Sequence, residues 1–475
     1  LTWLAAPANA QQPPELFEAV DDLAVQALRA AAPGPRVLRQ QFVRLNTQAL
    51  DADATSPSGR VILNLFPDAR YEFRRLGRAE ALPGGNFLWR AVGGDADSGY
   101  ALLVIGTHGV RGSISDGAGR YFKIVPATGT TQEIREVSAD VPDMGEDYVL
   151  PPNLPQEQAA RLPLVAAESI AVGPVAQSAA NTIDVLVVYS PNARQAAGGA
   201  ANVQALANLV FAEMNQALTA SQVNARVRLV KLQEVSFPGG EAITSSFLDA
   251  LRNNSSIRSL RDQYGADLVS AWIDGTGSTV GLGYVMTQAS SNFAGFAYSL
   301  AFIDWVDGPA YAFAHEAGHN LGSGHDRNTG CDLHAFSYAC GYQQRTIVPR
   351  FHTIMAYQSG CTQCPKINQY SNPNVTYQGI PTGIASGPDA ADNGRAFNQT
   401  APVASQFRAA VIPEVTCDIS GDGSVNVIDV QLSVNQALGT AACGTGDVSQ
   451  DGVCNVIDVQ RLVNAALGQG CQVGT

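Results

Sequence analysis

Tyr311-Ala-Phe-Ala-His315-Glu316-Ala-Gly-His319-Asn-Leu-Gly322-Ser-Gly-His325-Asp326 is the stretch from which the rest of this 475-residue chain is read. Two histidines four apart on a helix differ by about 40° around its axis, so both rings reach one ion. Glu316 points about 100° away from His315, too far round to join them, and is placed to hold a water on that ion. Gly322 permits the left-handed backbone that ends a helix, which lets the chain turn and return His325 to the same point. Three histidines and a water make the open tetrahedral shell of a catalytic Zn2+, whereas structural zinc is usually closed by thiolates. His315, His319 and His325 are therefore the expected zinc ligands and Glu316 the expected catalytic residue. Only six histidines occur in the chain, so the spacing is not a by-product of a histidine-rich composition.

Upstream of this motif the chain alternates strands and helices. Ile183–Tyr189 is a continuous apolar run suited to a strand buried on both faces. Ala201–Ala220 has apolar residues at helical spacing, Val227–Leu232 reads as a strand, Ser255–Tyr264 as a helix and Ala266–Ile273 as another strand. That order predicts a mainly parallel sheet. Farther upstream, 14–165 shows short apolar runs between turn residues, among them Val61–Phe66, Phe87–Val92, Tyr100–Ile105 and Tyr121–Val125. A mostly β domain after one short helix near 15–31 is expected there, ending at Pro151-Pro-Asn-Leu-Pro155 and a linker over 166–181. Residues 1–10, LTWLAAPANA, read as the end of a secretory signal cleaved after Ala10.

Composition limits the function. Hydrophobic residues make 45% of the chain and charged ones 15%, ample for more than one core. The net charge of −13, from 29 basic and 42 acidic residues, argues against nucleic acid. No apolar run approaches the roughly 18 residues of a membrane span. All eight cysteines lie beyond residue 330. An even, clustered set in a secreted chain reads as disulfides. Cys361-Thr-Gln-Cys364 could be half a zinc site, but no second such pair accompanies it. The partners of Cys331, Cys340, Cys361 and Cys364 are left open.

The HExxHxxGxxH pattern resembles the zinc signature of the metzincin metalloproteases, and Asp326 after it resembles the adamalysin (reprolysin) branch. The resemblance implies a methionine turn beneath the zinc, for which His352-Thr-Ile-Met355-Ala-Tyr357 supplies Met355. It also implies that Tyr357 matches a tyrosine that some metzincins set beside the metal, to ligate zinc or to donate to the oxyanion; a core tyrosine is the alternative. Ile183–Ala196, Leu260–Trp272, Gly281–Val285 and Asn368–Asn374 are similar to the bacterial peptidyl-Asp metallopeptidases, a resemblance covering about 182–408. By the same resemblance, Gly281–Val285 is the strand at the upper edge of the cleft, its small residues letting a substrate backbone pair with it.

What these residues imply is a zinc-dependent endopeptidase acting on protein or peptide substrates. Glu316 would take a proton from the zinc-bound water as it attacks and deliver it to the leaving amine. A preference for acidic residues would need a cation near the pocket beyond the scissile bond; Arg345, Arg350 and Lys366 are the candidates. The N-terminal domain, 11–165, resembles a prodomain in position and pattern. No cysteine precedes residue 331, so a blocking ligand would be a carboxylate or His108, or inhibition would be steric.

Near the C-terminus, Asp418-Ile-Ser-Gly-Asp-Gly-Ser-Val-Asn-Val-Ile-Asp429 recurs as Asp447-Val-Ser-Gln-Asp-Gly-Val-Cys-Asn-Val-Ile-Asp458. Oxygen groups at loop positions 1, 3, 5 and 12 with Gly at 6 follow the calcium-loop pattern. One Ca2+ would take Asp418, Ser420, Asp422, Asp429 and the Ser424 carbonyl; the other Asp447, Ser449, Asp451, Asp458 and the Val453 carbonyl. The duplication over 417–471 resembles a type I dockerin, which implies a cohesin-like partner. Adjacent ends favour pairing Cys417 with Cys471, leaving Cys443 with Cys454, one of three pairings four cysteines allow.

The expected architecture is multidomain: a mostly β prodomain, an α/β metzincin domain over 182–410 with a twisted mixed sheet and zinc helix, and a small α-helical dockerin-like calcium domain. The expected source and compartment are bacterial and extracellular. The rival readings are a non-enzymatic, calcium-dependent attachment protein and a zinc hydrolase acting on something other than protein.

Overall fold

The computed structural model describes residues 12–20, 36–50, 59–77, 79–95, 98–139, 147–151, 181–361, 363–411, 417–420, 424–441, 443–449 and 453–473. The expected signal segment 1–10 and the linker from 166 to 180 lie outside these residues. The chain divides into two compact units, one of residues 1–77 and 88–410 and one of 78–87 and 411–475.

In the larger unit, the N-terminal region forms a sheet whose path runs Phe17–Ala19, Val37–Leu45, Thr131–Val137, Tyr121–Thr128, Gly109–Ser115, Gly99–Gly106, Asn86–Gly93, Ala69–Arg75, Arg60–Phe66. The four expected runs are all strands. Ala69–Arg75 shows why: Ala69, Tyr71 and Phe73 turn inward while Arg70 and Glu72 face water. Leu63, Trp89, Leu103, Ile114, Phe122 and Ile134 pack the core beneath. The helix expected near 15–31 is corrected at its start. Phe17–Ala19 is a strand paired antiparallel with Val43–Leu45, because Leu16 and Phe17 bury in the sheet core; residues 21–31 lie outside the described set.

The second sheet is mixed, in the order Tyr148–Val149, Gly281–Tyr284, Tyr298–Phe302, Leu268–Ile273, Asn181–Tyr189, Ala225–Glu234. Its long central strand, Asn181–Tyr189, is buried from Ile183 onward and pairs parallel on both sides, as the apolar run predicts. Gly281–Tyr284 alone runs antiparallel to its neighbour Tyr298–Phe302. One strand departs from the expected domain layout: Tyr148–Val149, N-terminal to the linker, joins this sheet parallel to Gly283–Tyr284. Helix Ala200–Ala220 packs on Ala225–Glu234 and also against the N-terminal strands Gly99–Gly106 and Gly109–Ser115. No described helix is long and apolar enough to cross a membrane.

The smaller unit contains helices Val427–Ala437 and Val456–Ala466 packed together. Each starts at an asparagine whose side chain caps the helix while an aspartate three residues on (Asp429, Asp458) returns a bond to the asparagine N–H. All eight cysteines are paired, as Cys331–Cys340, Cys361–Cys364, Cys417–Cys471 and Cys443–Cys454. Cys361–Cys364 is thus a disulfide and not half a zinc site.

Candidate active site

Helix Ala312–Asn320 carries His315, Glu316 and His319, and every residue of it is buried. It ends as Gly322 requires: Gly322 has φ of +89°, with its N–H on the His319 carbonyl at 3.0 Å and Ser323 N–H on the Gly318 carbonyl at 3.0 Å. A Cβ at Gly322 would also collide with Ala335. The chain then enters the short strand Gly324–Asp326, which returns His325.

Three imidazoles converge there. Nδ1 of His315 faces the Ile354 carbonyl at 2.8 Å, and Nδ1 of His319 faces the Ser323 carbonyl at 2.8 Å. Those carbonyls hold the proton on Nδ1 and leave Nε2 as the ligating lone pair. Nε2 of His325 lies 3.1 Å from Nε2 of His319. Tetrahedral Zn–N bonds of about 2.0–2.1 Å set nitrogens about 3.3 Å apart, so the spacing fits the ion. Nε2 of His315 is buried and faces the Asp147 carboxylate at 3.3 Å without a well-aligned hydrogen bond. Burial pushes the His315 pKa down to about 4 and lowers that of His319, keeping both in the neutral form that binds metal.

Glu316 is 1% exposed and its Oε2 has no hydrogen-bond partner. Burial, then the charge of Asp147, pushes its pKa up. Gly281 and Gly283 on the edge strand make room for this carboxylate: a Cβ on Gly281 would overlap Oε1, and one on Gly283 would come within 3.0 Å of Oε2. Small residues in Gly281–Val285 thus also accommodate the glutamate beneath the strand.

Met355 is fully buried in a turn closed by Ala356 N–H on the Thr353 carbonyl at 2.9 Å. Its sulfur lies against Gly318, between the two helical histidines. Tyr357 sets its hydroxyl 3.1 Å from His325 Nε2. Burial, then Asp147, raises its pKa, so the phenol keeps its proton. Asp326 ties the third-histidine strand to this turn by accepting the Tyr357 N–H at 3.1 Å and the Thr329 hydroxyl at 2.6 Å.

A fourth residue, not singled out in the sequence, completes the cluster. The Asp147 carboxylate reaches His325 Nε2 at 2.7 Å, His315 Nε2 at 3.3 Å and His319 Nε2 at 3.4 Å. Burial works to raise its pKa, but the histidines hold it well below the usual carboxylate range. Its backbone occupies the cleft edge: Gly283 N–H donates to the Asp147 carbonyl at 3.0 Å and Val285 N–H to the Val149 carbonyl at 3.1 Å. The Tyr148 ring covers His319 and His325 at centroid distances of 5.6 and 5.1 Å. His108, the other blocking group considered, sits exposed in a turn and is not part of the histidine cluster.

The three cations considered for acidic substrates separate. Arg350 is exposed. Arg345 braces the loop after Tyr357, through Gln343 Oε1 at 2.6 Å and the Ser359 carbonyl at 3.1 Å. Lys366 is buried, with Nζ on the Ile354 carbonyl at 3.2 Å.

In the smaller unit, Ser420 N–H donates to Asp429 Oδ1 and Ser449 N–H to Asp458 Oδ1, both at 2.8 Å. The Ser420 and Ser449 hydroxyls reach Asp418 and Asp447 at 3.2 and 3.3 Å. Ser424 and Val453 are exposed, and Asp422 and Asp451 lie outside the described residues.

Residues 179–371 match the Reprolysin_5 model, described as Metallo-peptidase family M12. A peptidyl-Asp metalloendopeptidase of Stenotrophomonas maltophilia (strain R551-3) is 29% identical over 422 residues, covering 81% of this chain and 96% of its own. A namesake from Xanthomonas campestris pv. campestris is 29% identical over 405 residues, covering 80% and 89%. One from Pseudomonas aeruginosa is 31% identical over 289 residues, covering 57% and 48%. With the three-histidine site, these matches show a zinc metalloendopeptidase, and the non-enzymatic reading is set aside.

Proposed function

We propose that this zinc metalloendopeptidase is made as a secreted zymogen held latent by Asp147, and that the freed enzyme cleaves peptide bonds flanked by acidic residues with Glu316 as general base. The observation that carries the reading is the Asp147 carboxylate within 2.7–3.4 Å of Nε2 on all three histidines. A carboxylate there takes the position a catalytic zinc keeps open for water. The same segment takes the Gly283 and Val285 N–H donors that a substrate backbone needs. Four disulfides support an oxidising, extracellular compartment.

Bound zinc supplies a Lewis acid and lowers the pKa of a coordinated water. His315, His319 and His325 would hold it through Nε2. Glu316 takes the proton from the attacking water on its carboxylate and passes it to the leaving amine nitrogen. The Tyr357 hydroxyl, protonated and beside His325, donates to the oxygen of the attacked carbonyl as charge develops there. The acidic preference is supported by relatives named peptidyl-Asp metalloendopeptidases. For the smaller unit, the duplicated Asp/Ser arrangement supports two calcium loops whose exposed Val427, Ile428, Val456 and Ile457 meet a cohesin-like partner.

The test is Asp147→Ala in the full chain. It should hydrolyse a protein substrate without removal of the N-terminal region and lose that activity to a chelator. The parent chain should need cleavage between about 165 and 182 first, visible by N-terminal sequencing. A latent Asp147→Ala chain with zinc bound would overturn the assignment of Asp147.

A further inference from the structure

A cavity of about 660 Å3 lies where the N-terminal sheet meets the metallopeptidase domain. One wall comes from strands Gly109–Ser115, Tyr121–Thr128 and Thr131–Val137, which contribute Arg111, Lys123, Val125, Arg135 and Val137. The facing wall is residues 196–198, the start of helix Ala200–Ala220, Ile303–Trp305 and Asp307. A space of this size, mostly apolar with a few polar groups, suits a small organic molecule.

Three of the four cations that line it are already engaged. Lys123 bridges to Asp307 at 2.5 Å, and Arg135 grips Glu133 through two bonds of 2.8 Å. Arg36 donates to the Ser138 carbonyl at 3.0 Å and lies over the Trp305 ring at 4.3 Å. Arg111 differs. Its Nε is shut away from water with no hydrogen-bond partner, and its Nη2 reaches the Ala197 carbonyl at 3.4 Å. No carboxylate among the described residues stands within ion-pair distance of it, although Asp304 and Asp307 line the same cavity. A guanidinium drawn out of water without a counter-charge is costly. The bond to Ala197 also sets that guanidinium beside the start of helix Ala200–Ala220. This 21-residue helix begins at Gly199 with no side-chain cap, so the positive end of its dipole adds to the charge of Arg111.

We infer that the cavity binds a small carboxylate with an apolar body, its charge held between Arg111 and the helix start and its body against Trp305, Val137 and Leu206. The walls belong to both the N-terminal region and the metallopeptidase domain. The ligand therefore binds the associated form and not the separated one, and stabilises the association by its own binding free energy. This goes beyond peptide-bond cleavage and holds whichever residue blocks the zinc.

The full chain is titrated calorimetrically with 3-phenylpropionate, with its neutral amide and with inorganic phosphate. The acid should bind once per chain. The amide and phosphate should each bind at least about tenfold more weakly, since one lacks the charge and the other the apolar body. Arg111→Met should lose at least about tenfold of the affinity for the acid, and Arg111→Lys should keep part of it. Without ligand R111M should melt no lower than the parent, because it removes a buried charge that has no partner. A large fall in that melting temperature would make Arg111 a structural brace and overturn the inference. Unchanged affinity in R111M would overturn it too, and would move the acid to the zinc or elsewhere. Equal binding of acid and amide, phosphate as tight as the acid, or no binding of the acid up to about 10 mM would each do the same. In a chain nicked between 152 and 180, saturating 3-phenylpropionate should slow release of the N-terminal region by about tenfold or more. Release at the same rate with the acid bound would overturn the bridging.

Discussion

Met355 Sδ lies against Cα of Gly318, so closely that a Cβ on residue 318 would overlap it. The zinc helix therefore rests on the methionine turn at the point midway between its two histidines. Ile354, one residue earlier, holds His315 by its carbonyl, so the same turn sets both the height of the helix and the rotation of a ligand. Gly318→Ala improves helix propensity by about 1 kcal/mol, yet overpacking a closed site costs about 1–3 kcal/mol. Met355 is fully buried and has nowhere to move. The variant should melt a few degrees lower and bind zinc more weakly, read by calorimetry and metal titration. Parent-like values for both would show the contact to be soft.

Glu316 and His325 should fail in different ways. Glu316→Ala removes the proton acceptor but no ligand, so zinc content should stay at parent level while proteolysis falls by about 10²–10⁴-fold. His325→Ala removes a ligand and should lower zinc stoichiometry in elemental analysis. Substantial proteolysis in Glu316→Ala would sink the assigned role.

Much of this site is written locally in the sequence. The helical spacing of His315 and His319, the stop at Gly322 and the buried run Ile183–Tyr189 each depend on near neighbours, and each stands as the pattern predicts. The pairing of Cys417 with Cys471 was legible for a similar reason, since the two ends of a duplicated loop-helix meet. Asp147 was not legible. The absence of early cysteines narrowed the blocking group to a carboxylate or His108, but nothing around Asp147-Tyr148-Val149 marks it. Its place comes from the register of Tyr148–Val149 on Gly283–Tyr284, a pairing across more than a hundred residues of chain. The buried charges between the N-terminal strands and helix Ala200–Ala220 escaped for the same reason.

One of those charges predicts that the hold of the N-terminal region on the rest of the unit depends on pH. Glu213, on helix Ala200–Ala220, has its pKa pushed up to about 8 by burial and then by Asp307, with the Ser113 hydroxyl, the Gly308 N–H and Lys123 working the other way. Tyr100 and Tyr311 also face it. Ser113, Tyr100 and Lys123 belong to the N-terminal region, and Lys123 bridges to Asp307 at 2.5 Å. Separating that region hydrates Glu213 and returns it toward the ordinary carboxylate value. The associated form thus holds a proton that the separated form releases, so association is full below about pH 4.5 and weakens as pH rises to about 8. In a chain nicked between 152 and 180, dissociation followed by size exclusion should rise by up to about tenfold per pH unit within that window. Glu213→Gln should flatten the dependence; an unchanged slope would move the cause elsewhere.

The tail gives the last prediction. Asp429 and Asp458 each accept a serine N–H from the loop and return a bond to the asparagine that caps their own helix. Burial works to raise their pKa values, but these N–H donors prevail and hold both carboxylates below the usual range. They therefore remain ionised in mild acid and keep pressing on Asp418 and Asp447, which share the same serines. Calcium in the proposed loops would neutralise that like charge; with calcium removed, the loops should open while Cys417–Cys471 and Cys443–Cys454 keep the helices tethered. Limited proteolysis should then cut within the loops near 421–423 and 450–452 when calcium is chelated, and spare them when it is restored. A chelator selective for calcium leaves the zinc-dependent peptidase rate unchanged in the same samples. Asp429→Ala removes a proposed ligand and a cap together, so the first loop should become protease-sensitive even with calcium present, at a further cost of about 1 kcal/mol to its helix. Equal resistance with and without calcium in the parent chain would mean that these loops hold no calcium.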